Sequence, residues 1–194
     1  MKRRPEFEVH PLTPARWQDL EELFGKRGAC GGCWCMWWRL KRSEFVKQKG
    51  AGNKRALKKI VDSGEVPGLL AYQKGKPIAW CAISPRERLS ALERSRVLKR
   101  VDERPVWSVP CFFVAKPCRR QGVTAKLLLA AKQYARRQGA AIVEGYPVEP
   151  GKTMPDVFAW TGFASAFRRA GFAEALRRSK KRPIMRCYLE GTDE

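Results

Sequence analysis

The sequence predicts one α/β (α+β) domain spanning residues 1–194, with a mixed central sheet and helices on its flanks. Three observations carry this. A strand–turn–helix–strand unit fills residues 106–145, and such a unit requires two parallel strands joined by a right-handed crossover. Short strand-like runs stand on both sides of it, at 7–12, 68–73 and 76–84 before and at 172–176 and 184–189 after. Finally, 194 residues of which 44% are apolar are enough to bury one proper core.

Taken in order, residues 7–12 read as a first strand. Thr13 offers a hydroxyl cap and Pro14 suits a first helical position, so a helix should begin there. Trp17, Leu20, Leu23 and Phe24 line its apolar face, and Gly25 and Gly28 end it. Residues 30–40, rich in Cys and Trp, have no clear period. Asn53 is expected to cap a second helix carrying Leu57, Ile60 and Val61, closed by Gly64. The runs 68–73 and 76–84 form a hairpin around Lys74-Gly75. Residues 85–105 form a charged connector.

The centre says more. Residues 106–115 are strand-like, yet Pro110 removes one ladder donor, so this strand should be bulged or unpaired on one side. Residues 119–124 form a basic turn containing Gly122. A helix then runs to Gln138 with Leu127, Leu128, Ala131, Tyr134 and Ala135 inward, and residues 140–145 are the next strand. A loop over 147–155 leads to a short helix ending at Ala170-Gly171, and two strands finish the chain.

The turn at 119–125 is a ready anion site. Free amides at a helix start and the positive end of the helix dipole favour negative charge, Gly122 admits close backbone approach, and Arg119 and Arg120 add charge. A capped turn with two surface arginines is the plain alternative.

With its strand and helix, this stretch resembles the signature of the GNAT superfamily of N-acetyltransferases. Phe112-Phe113-Val114 matches the apolar end of the strand, and Arg119-Arg120-Gln121-Gly122-Val123-Thr124-Ala125 matches the Q/R-x-x-G-x-G/A turn. Thr124 stands where the family prefers a second glycine or alanine, and Pro117 is displaced by one. Ala170-Gly171-Phe172 is similar to the family's helix-Gly-Phe ending. The resemblance implies the GNAT fold, with parallel strands 4 and 5 splayed apart, and acetyl-CoA as cosubstrate. It implies cofactor contacts at Phe112, Phe113, Val114 and 119–125, with the pantetheine arm along strand 4 and the Val114 amide as oxyanion donor. The implied reaction is direct transfer of an acetyl group to a primary amine, with a small molecule the favoured acceptor and a protein or peptide amine the alternative.

An acceptor ammonium must lose a proton before it attacks. Glu144, the first acid after an acid-free stretch from Arg104, sits among apolar residues that raise a carboxyl's pKa. The resemblance points to the same residue as general base, and a structural pair with an arginine is the alternative. The family's thiolate-protonating tyrosine position holds Phe167. Tyr146, on the same strand face as Glu144, takes that role instead, or Cys111 or Cys118 does, or the thiolate leaves unassisted.

Cys30, Cys33 and Cys35 have the spacing of zinc ligands but lack a fourth, and His10 is the only histidine, so no metal is expected. Seven cysteines at irregular spacing read as reduced thiols. No apolar run approaches the roughly 18 residues that span a bilayer, and no signal-like segment follows the basic start. The reading is therefore cytoplasmic, with no membrane partner. A net charge of +21 draws anions to the surface. It also raises a competing class, a nucleic-acid-binding module, which the absence of any recognisable binding motif disfavours.

Overall fold

A computed structural model describes residues 7–149 and 156–189. It contains one seven-stranded sheet in the order β1-β2-β3-β4-β5-β7-β6. The strands are β1 (Glu8–Pro11), β2 (Gly68–Gln73), β3 (Lys76–Pro85), β4 (Trp107–Val114), β5 (Ile142–Gly145), β6 (Ala173–Arg177) and β7 (Pro183–Tyr188). The helices are α1 (Trp17–Phe24), α2 (Arg42–Lys47), α3 (Ala51–Asp62), α4 (Ser90–Glu93), α5 (Val123–Arg137) and α6 (Ala164–Arg169). Every neighbouring pair is antiparallel except β4 and β5, the pair joined by the α5 crossover.

The alternation of side chains along the central strands divides the core in two. Ala79, Cys81 and Ile83 of β3 and Val109 and Phe112 of β4 face α5 and α6, meeting Leu127, Leu128, Ala131 and Phe167. Trp80 and Ala82 of β3 and Cys111 of β4 face the other way, toward α1, α3 and the Cys- and Trp-rich segment. A smaller cluster under α4 joins Trp38, Leu92, Leu98, Tyr146 and Ile184.

One local expectation changes. Asn53 does not cap α3: Gly50 holds the N-cap position, and Asn53 lies inside the helix, donating to the Gly32 carbonyl at 3.1 Å. That bond ties α3 to residues 28–32, a stretch too short and too irregular for the sequence to assign. Those five residues form one π-type turn with Ala29 and Gly31 at positive φ. The expected loop over 147–155 lies partly outside the described residues. In its described first part Val148 bridges Phe163 in parallel.

Candidate active site

The register of β4 sets the geometry. Its pairing with β3 slips between Ala82 and Ser84, opposite Val109 and Pro110, which places the bulge where Pro110 cannot donate. Its pairing with β5 covers only Trp107↔Val143, Ser108↔Glu144 and Val109↔Gly145. Beyond that rung the two parallel strands part. Ala115 donates to Ile78 of β3 at 2.9 Å, and amides alternate along a strand. The Phe113 amide therefore also faces β3, whereas those of Phe112 and Val114 face the open edge. This corrects the expectation for Phe113, whose backbone is used inside the sheet.

Two side chains occupy carbonyls on that open edge. The Trp38 indole donates to Pro110 O at 3.1 Å, and Arg119 Nε donates to Val114 O at 3.1 Å. Aromatic rings close the floor of the split. Phe112 and Phe167 pack edge to face with centroids 6.0 Å apart. A Cβ on Gly145 would lie 2.1 Å from the Phe167 ring, so the close approach of ring and strand requires glycine there. Phe167 thus fills the base of the split, which accounts for a ring at this position without a hydroxyl.

The open edge runs on into the turn before α5. Gly122 is the N-cap residue with φ +78°, Arg120 is also left-handed with φ +62°, and no side chain caps the helix. Arg119, Arg120, Gln121 and Gly122 are exposed. Val123 is buried, with Thr124 and Ala125 half-buried beside it. The first amides of α5 thus have no partner within the helix and face the outside. A diphosphate fits this cradle of amides and arginines, and an extended amide-bearing arm fits the Phe112 and Val114 edge.

Glu144 and Tyr146 meet, as their shared strand face requires, but below the split. Both are fully buried. Glu144 Oε1 accepts from Arg86 Nη1 at 3.0 Å and from the Tyr146 hydroxyl at 2.7 Å, and Oε2 accepts from Arg186 Nε at 2.7 Å. Tyr146 also lies 2.7 Å from Ser108 Oγ and receives Arg86 Nη1 at 2.8 Å. Burial, then the neighbouring Glu144 carboxylate, pushes the Tyr146 phenol well above its usual pKa. Arg86 reaches further, to Glu93 Oε1 and the Leu98 carbonyl, each at 2.8 Å. Arg186 reaches Asp102 at 2.7 Å. Hydrogen bonds from Arg186, then Arg104, hold the Asp102 carboxyl well below the usual carboxylate range. The sequence reading missed Arg86 and Arg186. Each lies far along the chain from Glu144, and the sequence offers no marker among 40 basic residues.

At the mouth of the split stands an aromatic wall. Trp160, in the 3-10 turn Asp156–Thr161, packs on Trp38 with centroids 5.6 Å apart and on Trp37 at 6.2 Å. Arg42 lies 4.3 Å above the Trp37 ring. A separate cavity of about 380 Å³ lies between α1 and α3, lined by Glu21, Trp34 and Lys54 among others, away from β4. Among the described residues no group of three His, Cys, Asp or Glu is placed to hold a metal ion. No helix among them is long and apolar enough to cross a membrane.

The profile of the Acetyltransferase (GNAT) family matches residues 34–150, more than half of the chain. The chain belongs to that family. It is an acetyl-CoA-dependent N-acetyltransferase with the GNAT fold. Solved structures share the fold at low identity. A GNAT-family acetyltransferase from Listeria monocytogenes is 10% identical with a TM-score of 0.58, over 95% of this chain and 96% of that one. The PaiA N-acetyltransferase of Thermoplasma acidophilum, in complex with coenzyme A, is 12% identical with a TM-score of 0.53, over 94% and 99%. YncA of Salmonella typhimurium, a proposed acetyltransferase with its cofactor acetyl-CoA, is 11% identical with a TM-score of 0.52, over 97% and 96%. No curated protein sequence matches the chain.

Proposed function

We propose that the acceptor is the primary amine of a small molecule with a flat or apolar body, acetylated by direct attack at the β4–β5 split. The carrying observation is the wall of Trp37, Trp38 and Trp160 at the split's mouth, fixed to β4 through the Trp38–Pro110 bond. Aromatic faces favour a compact apolar body, and the open strand edge beside them supplies orientation. In this reading the Val114 amide stabilises the oxyanion, since it faces the open edge where the thioester lies.

The network around Glu144 supports a positioning role for Glu144 and Tyr146. Two guanidiniums and a phenol take three of the carboxylate's four acceptor sites, and the side chain is fully buried among them. The amine proton passes to water at the mouth. The coenzyme thiolate leaves without a protein acid, which a thiol pKa of about 8.5 permits.

An acceptor panel, scored by thiol release from acetyl-CoA, tests the acceptor class. Aryl-alkyl monoamines should be acetylated with higher kcat/KM than lysine-bearing peptides or peptides with free N-termini. The opposite order overturns the proposal.

A further inference from the structure

The cavity between α1 and α3, which the transfer reaction does not use, has a cationic lining. Its volume of about 380 Å³ lies in the range of small-molecule pockets. It sits on the face of the sheet opposite α5, so the Gly122 turn is no part of it. Lys26 and Arg27, just after α1, and Lys54 of α3 border it, with Glu21 the one acid of the lining. That acid is already engaged: Glu21 Oε1 lies 2.5 Å from Lys54 Nζ and accepts the Trp17 indole N–H at 2.8 Å. Lys26 and Arg27 are exposed, and among the described residues neither meets a carboxylate.

The Trp34 indole adds a donor in want of an acceptor. Among the described residues Trp17, Trp34, Trp38 and Trp80 are the buried tryptophans. Trp17 donates to Glu21, Trp38 to the Pro110 carbonyl and Trp80 to Cys35. Trp34, 5% exposed, borders the cavity, and its N–H has no acceptor in the protein. Its nitrogen is not sealed from solvent, so the cavity is where an acceptor reaches it. A buried donor left unmatched is costly, and an incoming oxygen removes that cost. Gly50 and Ala51 open α3 at the same wall, and no side chain caps that helix, so its free amides add to the positive potential.

We propose that this cavity is a second anion site, which binds a small oligophosphate through its phosphate oxygens. Lys26, Arg27 and Lys54 supply the charge, and the Trp34 N–H supplies a donor held in place. Trp17 stacks on the Trp34 ring with centroids 6.0 Å apart, and Lys54 Nζ lies 5.4 Å over it. Packed in this way, Trp34 offers the ligand an edge and no face on which a nucleobase could stack. The phosphates are therefore what the cavity reads, whether or not they carry a nucleoside.

The test loads the full chain with one equivalent of coenzyme A, which fills the cofactor turn, and titrates it with tripolyphosphate by calorimetry at physiological salt. Binding should be saturable at one site per chain. Lys26→Ala with Arg27→Ala should weaken it by about tenfold or more, and Trp34→Phe by several-fold. Arg136→Ala with Arg137→Ala removes the same two charges from the exposed end of α5 and should leave binding within about twofold. ATP should bind within a few-fold of tripolyphosphate. If Trp34→Phe does not fold, the exposed Lys26 and Arg27 pair decides. Absence of saturable binding, equal losses from the two double variants, or binding of ATP without tripolyphosphate would each overturn the proposal.

Discussion

Arg86 and Glu144 face each other at 3.0 Å with neither side chain more than 1% exposed. The contact lies at the rung Ser108↔Glu144, one residue before β4 and β5 part. A buried ion pair is not by itself a large source of stability, but removing one partner leaves an uncompensated charge. The pair therefore fixes where the split begins, and disturbing it should be felt both in folding and in the shape of the site.

Glu144→Gln tests this most directly. It leaves Arg86 and Arg186 facing a neutral amide, so unfolding free energy should fall by about 3 kcal/mol or more. The folded fraction should keep the shape of its kcat–pH profile. Denaturant titration and pH-rate measurements check both parts. Undiminished stability together with a lost acidic limb would return the role of general base to Glu144.

Tyr146→Phe removes a phenol engaged with Ser108, Arg86 and Glu144. Stability should drop by about 1–3 kcal/mol from the partners left unmatched, while kcat changes only a few-fold. The sign of the pH effect follows from the raised folded pKa. Below the unfolded tyrosine value of about 10 both states are protonated and the contribution is intact. As pH rises past that value the unfolded chain loses its proton first, so the native protein loses stability there. Thermal melts across the alkaline range should show a shallower decline in the Tyr146→Phe protein.

On the acid side the sign reverses at Asp102, whose folded pKa is depressed. Its contribution is present above the unfolded carboxyl value of about 3.9 and is lost as pH falls below it. Asp102→Asn should therefore lower the melting temperature at neutral pH and narrow the gap from wild type as the solution is acidified. A gap independent of pH would mean that the Arg186 contact contributes no linkage.

The same contrast explains what was legible in the sequence. The order of strands, the crossover and the bulge at Pro110 follow from local rules: periodicity, a missing donor, glycine at a turn. The Gly122 turn was legible for the same reason. Glu144 stood out locally as the one acid on an apolar strand, yet its environment is made by Arg86, from the 3-10 turn after β3, and Arg186, from β7. The direction of the Phe113 amide depends on register with β3, and the aromatic wall depends on Trp160 folding back onto Trp37 and Trp38. Neither follows from spacing along the chain.

Gly122→Val examines the cofactor turn. A residue with a side chain costs about 1–2 kcal/mol in the left-handed region, more when β-branched, so KM for acetyl-CoA should rise by about tenfold or more. Lys59→Ala, an exposed cation on α3, removes the same charge found near the turn without touching it and should leave KM unchanged. Equal effects from the two variants would remove the turn from the binding site.

Trp38→Phe separates the wall from the strand it is fixed to. The substitution keeps an aromatic face but deletes the indole donor, so the buried Pro110 carbonyl loses its partner, at a cost of about 1–3 kcal/mol. Because that carbonyl sits on the bulge beside Cys111 and Phe112, the open edge of β4 should loosen and KM for acetyl-CoA should rise. Trp160→Ala acts differently. Its ring contacts Trp37 and Trp38 rather than the β4 backbone, so its loss should raise KM for the amine and leave acetyl-CoA binding within about twofold, under 0.5 kcal/mol. Steady-state kinetics with each substrate varied in turn distinguishes the two. If Trp160→Ala weakens acetyl-CoA and spares the amine, the wall belongs to the cofactor and the acceptor lies elsewhere along the split.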